Sequence, residues 1–295
     1  MSENNVKYKL KGHASFIIRE GWLNKGISAV DNDNSVFVGK KSADILGVGS
    51  NMAQSIKFWL KACKLVEDKP GKWTKLTELG ELINKYDPYF EDIFTLWVMH
   101  CNIVKNSELV TSWHLFFNKC EAEDYAKDQI YIQLRSALCD YIFSDSFSEP
   151  SLKDDLNAII NTYAKQKDND YDPENNNRCP LAELGLLKVN KNKYTKCQPD
   201  LSKLNPMIIL YLITDQIGGK ESISIDQLQE GDNSIGKVLN FGRIIINKYL
   251  DRLEEMNYIT INRTAGLDMV YIKRKIKSID VLKLYYKKNS LGELR

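Results

Sequence analysis

The stretch Lys41-Ser42-Ala43-Asp44-Ile45-Leu46-Gly47-Val48-Gly49-Ser50-Asn51-Met52-Ala53-Gln54-Ser55-Ile56-Lys57-Phe58-Trp59-Leu60 decides how the chain is read. It predicts a short helix, a glycine turn and a longer second helix. Ala43 is small where two helices would cross, and Gly47 and Gly49 can take the positive φ of a tight turn. Ser50 or Asn51 is expected to cap the second helix by accepting from an orphan backbone N–H. Met52, Ile56, Trp59, Leu60 and Cys63 recur at helical spacing and form an apolar stripe. Gln54, Lys57 and Lys61 fall on the opposite face. A polar, basic face opened by Ser50 and Asn51 suits a helix lying in a major groove.

The residues that follow extend this reading. Leu65-Val66-Glu67 and Trp73-Thr74-Lys75-Leu76 read as two strands about a Pro-Gly turn that carries Lys69 and Lys72. Thr77 to Leu82 opens another helix. Helix, turn, helix and two-stranded wing is the order of a winged-helix domain. Upstream, Ser15 is a plausible cap for a first helix through Ile27, and Val36-Phe37-Val38 reads as a short strand.

The same order recurs near the end. Met207 to Ile217 reads as an apolar helix, Ser224 to Leu228 as a short one, and Ser234 or Asn240 as the start of a long one. Ile245, Ile246, Tyr249, Leu250, Leu253 and Met256 form its buried stripe, with Arg243, Asn247 and Lys248 toward the other side. Two strands about Asn262-Arg263-Thr264-Ala265-Gly266 form a second wing, followed by Lys273, Arg274, Lys275 and Lys277. Asp251, Glu254 and Glu255 would repel phosphate late on that helix, so only its first half suits DNA.

Between the two lies a helical region. Pro88 marks its start, because the residue before proline avoids the helical basin. Ile93 to His100 is apolar almost all round, as a buried helix is. Further helices are expected near 112–117, 122–141 and 151–165. Lys167 to Asn177 is polar and turn-rich and reads as a linker, followed by a short helix at Cys179 to Leu187 and a hairpin about Asn190 to Lys193. The expected architecture is mainly α with small β wings. It comprises an N-terminal winged-helix domain (1–86), a helical middle domain (87–167), a linker with short helix and hairpin (168–204), a C-terminal winged-helix domain (205–276) and a tail (277–295).

Composition narrows the function. The 295 residues carry a net charge of +2, so any basic footprint must be local. No secretory signal and no membrane span is visible, which predicts a cytoplasmic protein with no membrane partner. The six cysteines form no C-x-x-C pair and read as free thiols; Cys179 and Cys197 flank the hairpin without two further ligands for a metal. His13, His100 and His114 read as structural. Asp87, Glu91 and Asp92 cluster in one turn, which suits a helix N-terminus better than a nuclease metal site. No catalytic residue, cofactor or metal is expected.

Gly12-His13-Ala14-Ser15-Phe16, Arg19 to Gly26, Leu46 to Met52 with Ile56-Lys57-Phe58-Trp59, Leu76 to Gly80, Asp87 to Asp92 with Thr95-Leu96-Trp97, and Cys179 to Leu186 together resemble a bacterial family known as a numbered domain of unknown function (4007). The resemblance covers most of the chain. It implies a place in DNA-modification or phage-defence islands, beside genes resembling phosphoadenosine-phosphosulfate reductases that act in DNA phosphorothioation. The family brings no assigned catalytic residues. The leading expectation is therefore a non-catalytic double-stranded DNA-binding protein. Its contacts would be Ser50, Asn51, Gln54, Lys57, Lys61, Lys69 and Lys72 in the first module, and Arg243, Asn247, Lys248, Arg263, Lys273 and Arg274 in the second. The alternative is an assembly module whose helices dock proteins encoded by neighbouring genes. A homodimer is compatible with either. A nuclease is the third reading.

Overall fold

The computed structural model describes residues 6–164, 178–264 and 267–291. The chain divides into two compact units, Met1–Cys197 and Gln198–Arg295. Both are mainly helical with small antiparallel sheets.

The first unit opens with α1 (Trp22–Asn32), α2 (Ser42–Leu46) and α3 (Ser50–Ala62), then the hairpin β1 (Val66–Lys69) and β2 (Trp73–Leu76). α4 (Glu78–Tyr86) follows, capped by Thr77, whose hydroxyl accepts from the Gly80 N–H. Gly80 is required there: a Cβ would meet the Leu65 carbonyl oxygen at 2.1 Å. α5 (Ile93–Lys105) is capped by Asp92 and buried without a break from Phe94 to Val104, as its apolar circumference demands. α6 (Thr111–Lys119), β3 (Tyr125–Ala126), α7 (Lys127–Ile142) and α8 (Glu149–Tyr163) complete the helical layer. A 3-10 turn (Pro180–Leu184) ends at Gly185, and β4 (Leu187–Asn190) and β5 (Lys193–Lys196) close a three-stranded sheet in the order β3-β5-β4.

The segment before α1 ties these elements together. Lys9 N–H donates to Thr111 Oγ1 at 2.9 Å and Lys11 N–H to Asp155 Oδ1 at 2.9 Å. His13 is buried; its Nε2 donates to the same oxygen at 2.8 Å, and its ring stacks on Trp59 with centroids 5.9 Å apart. Ser112 Oγ donates to Asp155 Oδ2 at 2.5 Å. The Trp59 indole N–H donates to the Phe16 carbonyl at 2.9 Å.

The second unit contains α9 (Pro206–Ile217), β6 (Ser222–Ser224), α10 (Ile225–Glu230), α11 (Ile235–Leu239), α12 (Arg243–Glu255), β7 (Ile259–Thr264), β8 (Leu267–Ile272) and α13 (Ser278–Ser290). β6, β8 and β7 form one antiparallel sheet in that order. α9 is buried from Pro206 to Thr214 and packs against α13 and α12.

A repeat links the two units in sequence. α2 and α11 are both 5 residues long, α3 and α12 both 13, and each element of the second pair lies 193 residues after the first (235 minus 42, 243 minus 50). The backbone details keep the same offset. Gly47 and Asn240 are left-handed C-caps, Gly49 and Gly242 are extended N-caps, and Lys64 and Asn257 have φ of 59° and 65°.

Several expectations change. The first helix begins at Trp22 behind Gly21, not at Ser15, which sits in a turn with φ of 67°. Residues 36–38 form turns and a bend, not a strand, and Val36 is buried. Ser50 and Asn51 lie inside the first turn of α3, and the cap is Gly49, which offers no side chain. Ser234 caps only the short α11 by accepting from the Lys237 N–H, and Asn240 ends that helix. Tyr125 and Ala126 pair with β5 before α7 starts. The expected linker core at 167–177 and the wing residues Ala265 and Gly266 lie outside the described residues.

Asp155→Ala should lower the stability of the first unit by roughly 3 kcal/mol or more, because it strands three buried or half-buried donors. Urea unfolding followed by fluorescence of Trp59 and Trp113 measures it.

Candidate nucleic-acid interface

Ser50, Asn51 and Gln54 are exposed on the outer face of α3. Lys57 and Lys61 continue the same row one and two turns on, at the i+4, i+7 and i+11 spacing that keeps side chains on one face. Their Nζ atoms lie 3.0 and 2.6 Å from the Asp68 carboxylate of β1, with side chains 26% and 35% exposed. Lys57 Nζ also sits 5.7 Å from the centre of the Phe37 ring. The Asp68 side chain is 9% exposed, so it is enclosed by its two partners. Lys69 and Lys72 are exposed at the hairpin turn, which closes by a Lys72 N–H to Lys69 carbonyl bond at 2.9 Å around Gly71, with φ of 70°. From Lys40 to Lys75 the chain carries eight lysines against Asp44, Glu67 and Asp68, a surplus of five (eight minus three), while all 295 residues together carry +2.

The corresponding positions of the second unit differ. Arg243 is held by two carboxylates: NH1 donates to Asp226, and NH2 to Asp268 Oδ2 at 2.8 Å. Arg263 NH2 pairs with Asp251 at 2.5 Å, and Lys273 Nζ donates to Asn257 Oδ1 at 2.5 Å. Lys248 and Arg274 are exposed, and Asn247 is half-buried with its Oδ1 unbonded. Ile244 is 83% exposed on the same outer face, beside Lys248, Asp251, Arg252 and Glu255. From Arg243 to Arg274 six cations face four carboxylates, a surplus of two (six minus four).

The partners of these cations were the unread part of the sequence. Asp68 lies seven residues beyond Lys61, across a turn, and Asp226 and Asp268 lie on either side of Arg243 in the chain. No local spacing brings them together; tertiary packing does, with Asp226 on α10 and Asp68 and Asp268 on strands.

The remaining candidates are structural. Asp87 is buried, and its carboxylate accepts from the Glu91 and Asp92 N–H groups at 3.0 and 3.2 Å; burial pushes its pKa up despite those bonds. Asp92 is the N-cap of α5. Among the described residues, no group of three His, Cys, Asp or Glu is placed to hold a metal ion. His100 Nδ1 bonds Tyr163 Oη at 2.8 Å and His114 Nδ1 lies 3.0 Å from the Val104 carbonyl, both in the core. All six cysteines are free, and burial pushes the Cys179 thiol up to about 12. Among the described residues, no helix is long and apolar enough to cross a membrane.

Burial of Asp68 opposes its charge, but the hydrogen bonds from Lys61 and Lys57 outweigh it and hold the carboxyl below the ordinary aspartate value. A lowered folded pKa contributes stability that is present above the unfolded pKa and is lost as pH falls through the folded one. Asp68→Asn should therefore be less stable than the native chain near pH 7, and the gap should close as acidification passes below the ordinary aspartate range. Denaturant midpoints across that range measure it.

The sequence matches the family described as "Protein of unknown function (DUF4007)" over residues 10–286. No curated protein matches it. The fold is similar to two crystal structures of SspB. The magnesium ion-bound one has a TM-score of 0.82 and the other 0.81; each shares 19% identity, with 97% of this chain and 89% of that chain covered. The chain therefore belongs to the DUF4007 family.

Proposed function

We propose that this protein binds double-stranded DNA through the outer face of α3, in the service of bacterial DNA modification of the phosphorothioation type or of phage defence. In this reading α2, α3 and the β1–β2 hairpin form one winged-helix module, and α11, α12 and the β7–β8 hairpin form another. The observation that carries it is the unbroken row Ser50, Asn51, Gln54, Lys57, Lys61 beside a hairpin bearing Lys69 and Lys72. Amide and hydroxyl groups suit base edges, and lysines suit phosphates. The N-terminus of α3 supports the same face. Gly49 leaves the first turn without a side-chain cap, and orphan N–H groups there favour an anion. Chromosomal or phage DNA as the ligand makes the cytoplasm the place of action. The modification setting rests on the family resemblance.

The second module supports a different partner. Arg243 and Arg263 are already neutralised by carboxylates, and Ile244 is exposed at the start of α12. That face suits a protein, such as the product of a neighbouring gene, better than a polyanion. In this assignment the first module reads DNA and the second docks a partner.

Duplex binding at two salt concentrations tests the reading. Lys69→Gln and Lys72→Gln should each flatten the log–log salt slope by about 0.9 for any duplex sequence. Gln54→Ala should instead cost about 1–3 kcal/mol on a preferred site and leave the slope unchanged. Absence of binding at low salt overturns the proposal. Co-purification of a partner, unaffected by nuclease and lost on Ile244→Glu, checks the second module.

A further inference from the structure

We infer that Asp68 is a latch on the candidate DNA face: it occupies Lys57 and Lys61, and a phosphodiester must displace it to use them. The inference rests on the DNA-binding reading of α3 and adds a regulating residue to it.

Three features make this more than a surface ion pair. One carboxylate takes both lysines, at 3.0 and 2.6 Å, so two cations at the site present a net single charge. The carboxylate is enclosed, with 9% of its side chain exposed, where charges interact more strongly than in open solvent. Lys57 is further restrained over the Phe37 ring at 5.7 Å. By contrast, Lys69 and Lys72 are exposed on the hairpin turn beyond it. The basic face thus has an open portion and a latched portion.

The repeat isolates the device. The position 193 residues after Lys61 is Glu254 (254 minus 61), and its Oε1 accepts from the Ile261 backbone N–H at 2.7 Å. Ile261 stands 193 residues after Asp68 (261 minus 68). The second unit therefore makes the same helix-to-strand tie without a lysine or an aspartate. The pair adds stability, but the frame of the second unit shows that the tie can be made otherwise, so the choice of two lysines and one aspartate is open to a second role. A phosphate arriving beside α3 meets two donors and one competing carboxylate. Weak, non-specific contacts do not open the latch; a duplex held by Ser50, Asn51 and Gln54 does.

The experiment is a cycle of variants on the full chain, read by binding to a duplex of random sequence. Asp68→Asn should tighten binding and steepen the salt slope, each gained phosphate contact multiplying the affinity ratio between 50 and 200 mM salt by about 3.5. Adding Lys57→Gln and Lys61→Gln to Asp68→Asn should abolish the gain. A folded Asp68→Asn protein with unchanged or weaker binding overturns the latch, as does a gain that survives loss of both lysines. Acylation with acetic anhydride provides a second measurement that needs neither DNA nor a variant. In the free native chain Lys57 and Lys61 should react more slowly than Lys69 and Lys72; equal rates overturn the latch. If the native chain and Asp68→Asn both fail to bind DNA while the acylation difference holds, the ion pair stands, and both the DNA reading and the gating role assigned to Asp68 fall.

Discussion

Asp155 is the point at which the first unit closes. Its carboxylate gathers the Lys11 backbone N–H, the His13 imidazole and the Ser112 hydroxyl, groups that are more than 40 residues away in the chain. His13 in turn stacks on Trp59, and Trp59 donates to Phe16. α3 is therefore fixed from behind, through its buried indole, by a segment that has no secondary structure of its own. A buried carboxylate with three donors satisfies its charge without water, and each donor would be costly to leave unpaired. The outer face of α3 depends on this hidden anchorage, because a helix that rotated by one residue would turn Lys57 and Lys61 away from Asp68 of the hairpin.

The same anchorage explains the sequence strings that carry the family resemblance. Gly12 lies where a Cβ would meet Phe58, and Gly26 where one would meet Ile56 and Leu60. His13 and Phe16 supply the stacking ring and the acceptor for Trp59. The string around Gly12 and the string around Trp59 are two sides of one contact. The string Asp87 to Asp92 is a turn in which a buried carboxylate and an N-cap start a helix buried from Phe94 to Val104. These residues concern the frame, and they say little about what the frame presents.

Much of that frame was legible. The glycine turn, the amphipathic α3 with Ile56, Trp59 and Leu60 buried, Met52 half-buried and Cys63 buried at its C-cap, the hairpin and the buried α5 all follow from periodicity and turn chemistry. The hairpin about Asn190 to Lys193 appears where the residues predict it, with Lys191 and Asn192 both at positive φ. What failed was local. Ser15 has the chemistry of a cap, but the stretch up to Trp22 is held by long-range bonds to Asp155, Thr111 and Trp59 and cannot coil. Ser50 and Asn51 also have cap chemistry, yet the cap falls one residue earlier at Gly49 and both lie in the first turn. At the candidate site the cations were readable and their counter-ions were not. A salt bridge between a helix and a strand is a statement about register, and the spacing of residues in one dimension does not contain it.

The two halves of the 193-residue repeat share their turns down to single left-handed residues while their outer surfaces have parted company. A glycine answers an asparagine at one corner, and a lysine answers an asparagine at the other. The shared corners fix the skeleton, and the outward positions between them differ from one unit to the other. Such a unit behaves like a type block: its body stays constant while the character on its face is recut. One copy can keep a lysine-rich face and the other a charge-paired one with an exposed isoleucine, without either losing its shape.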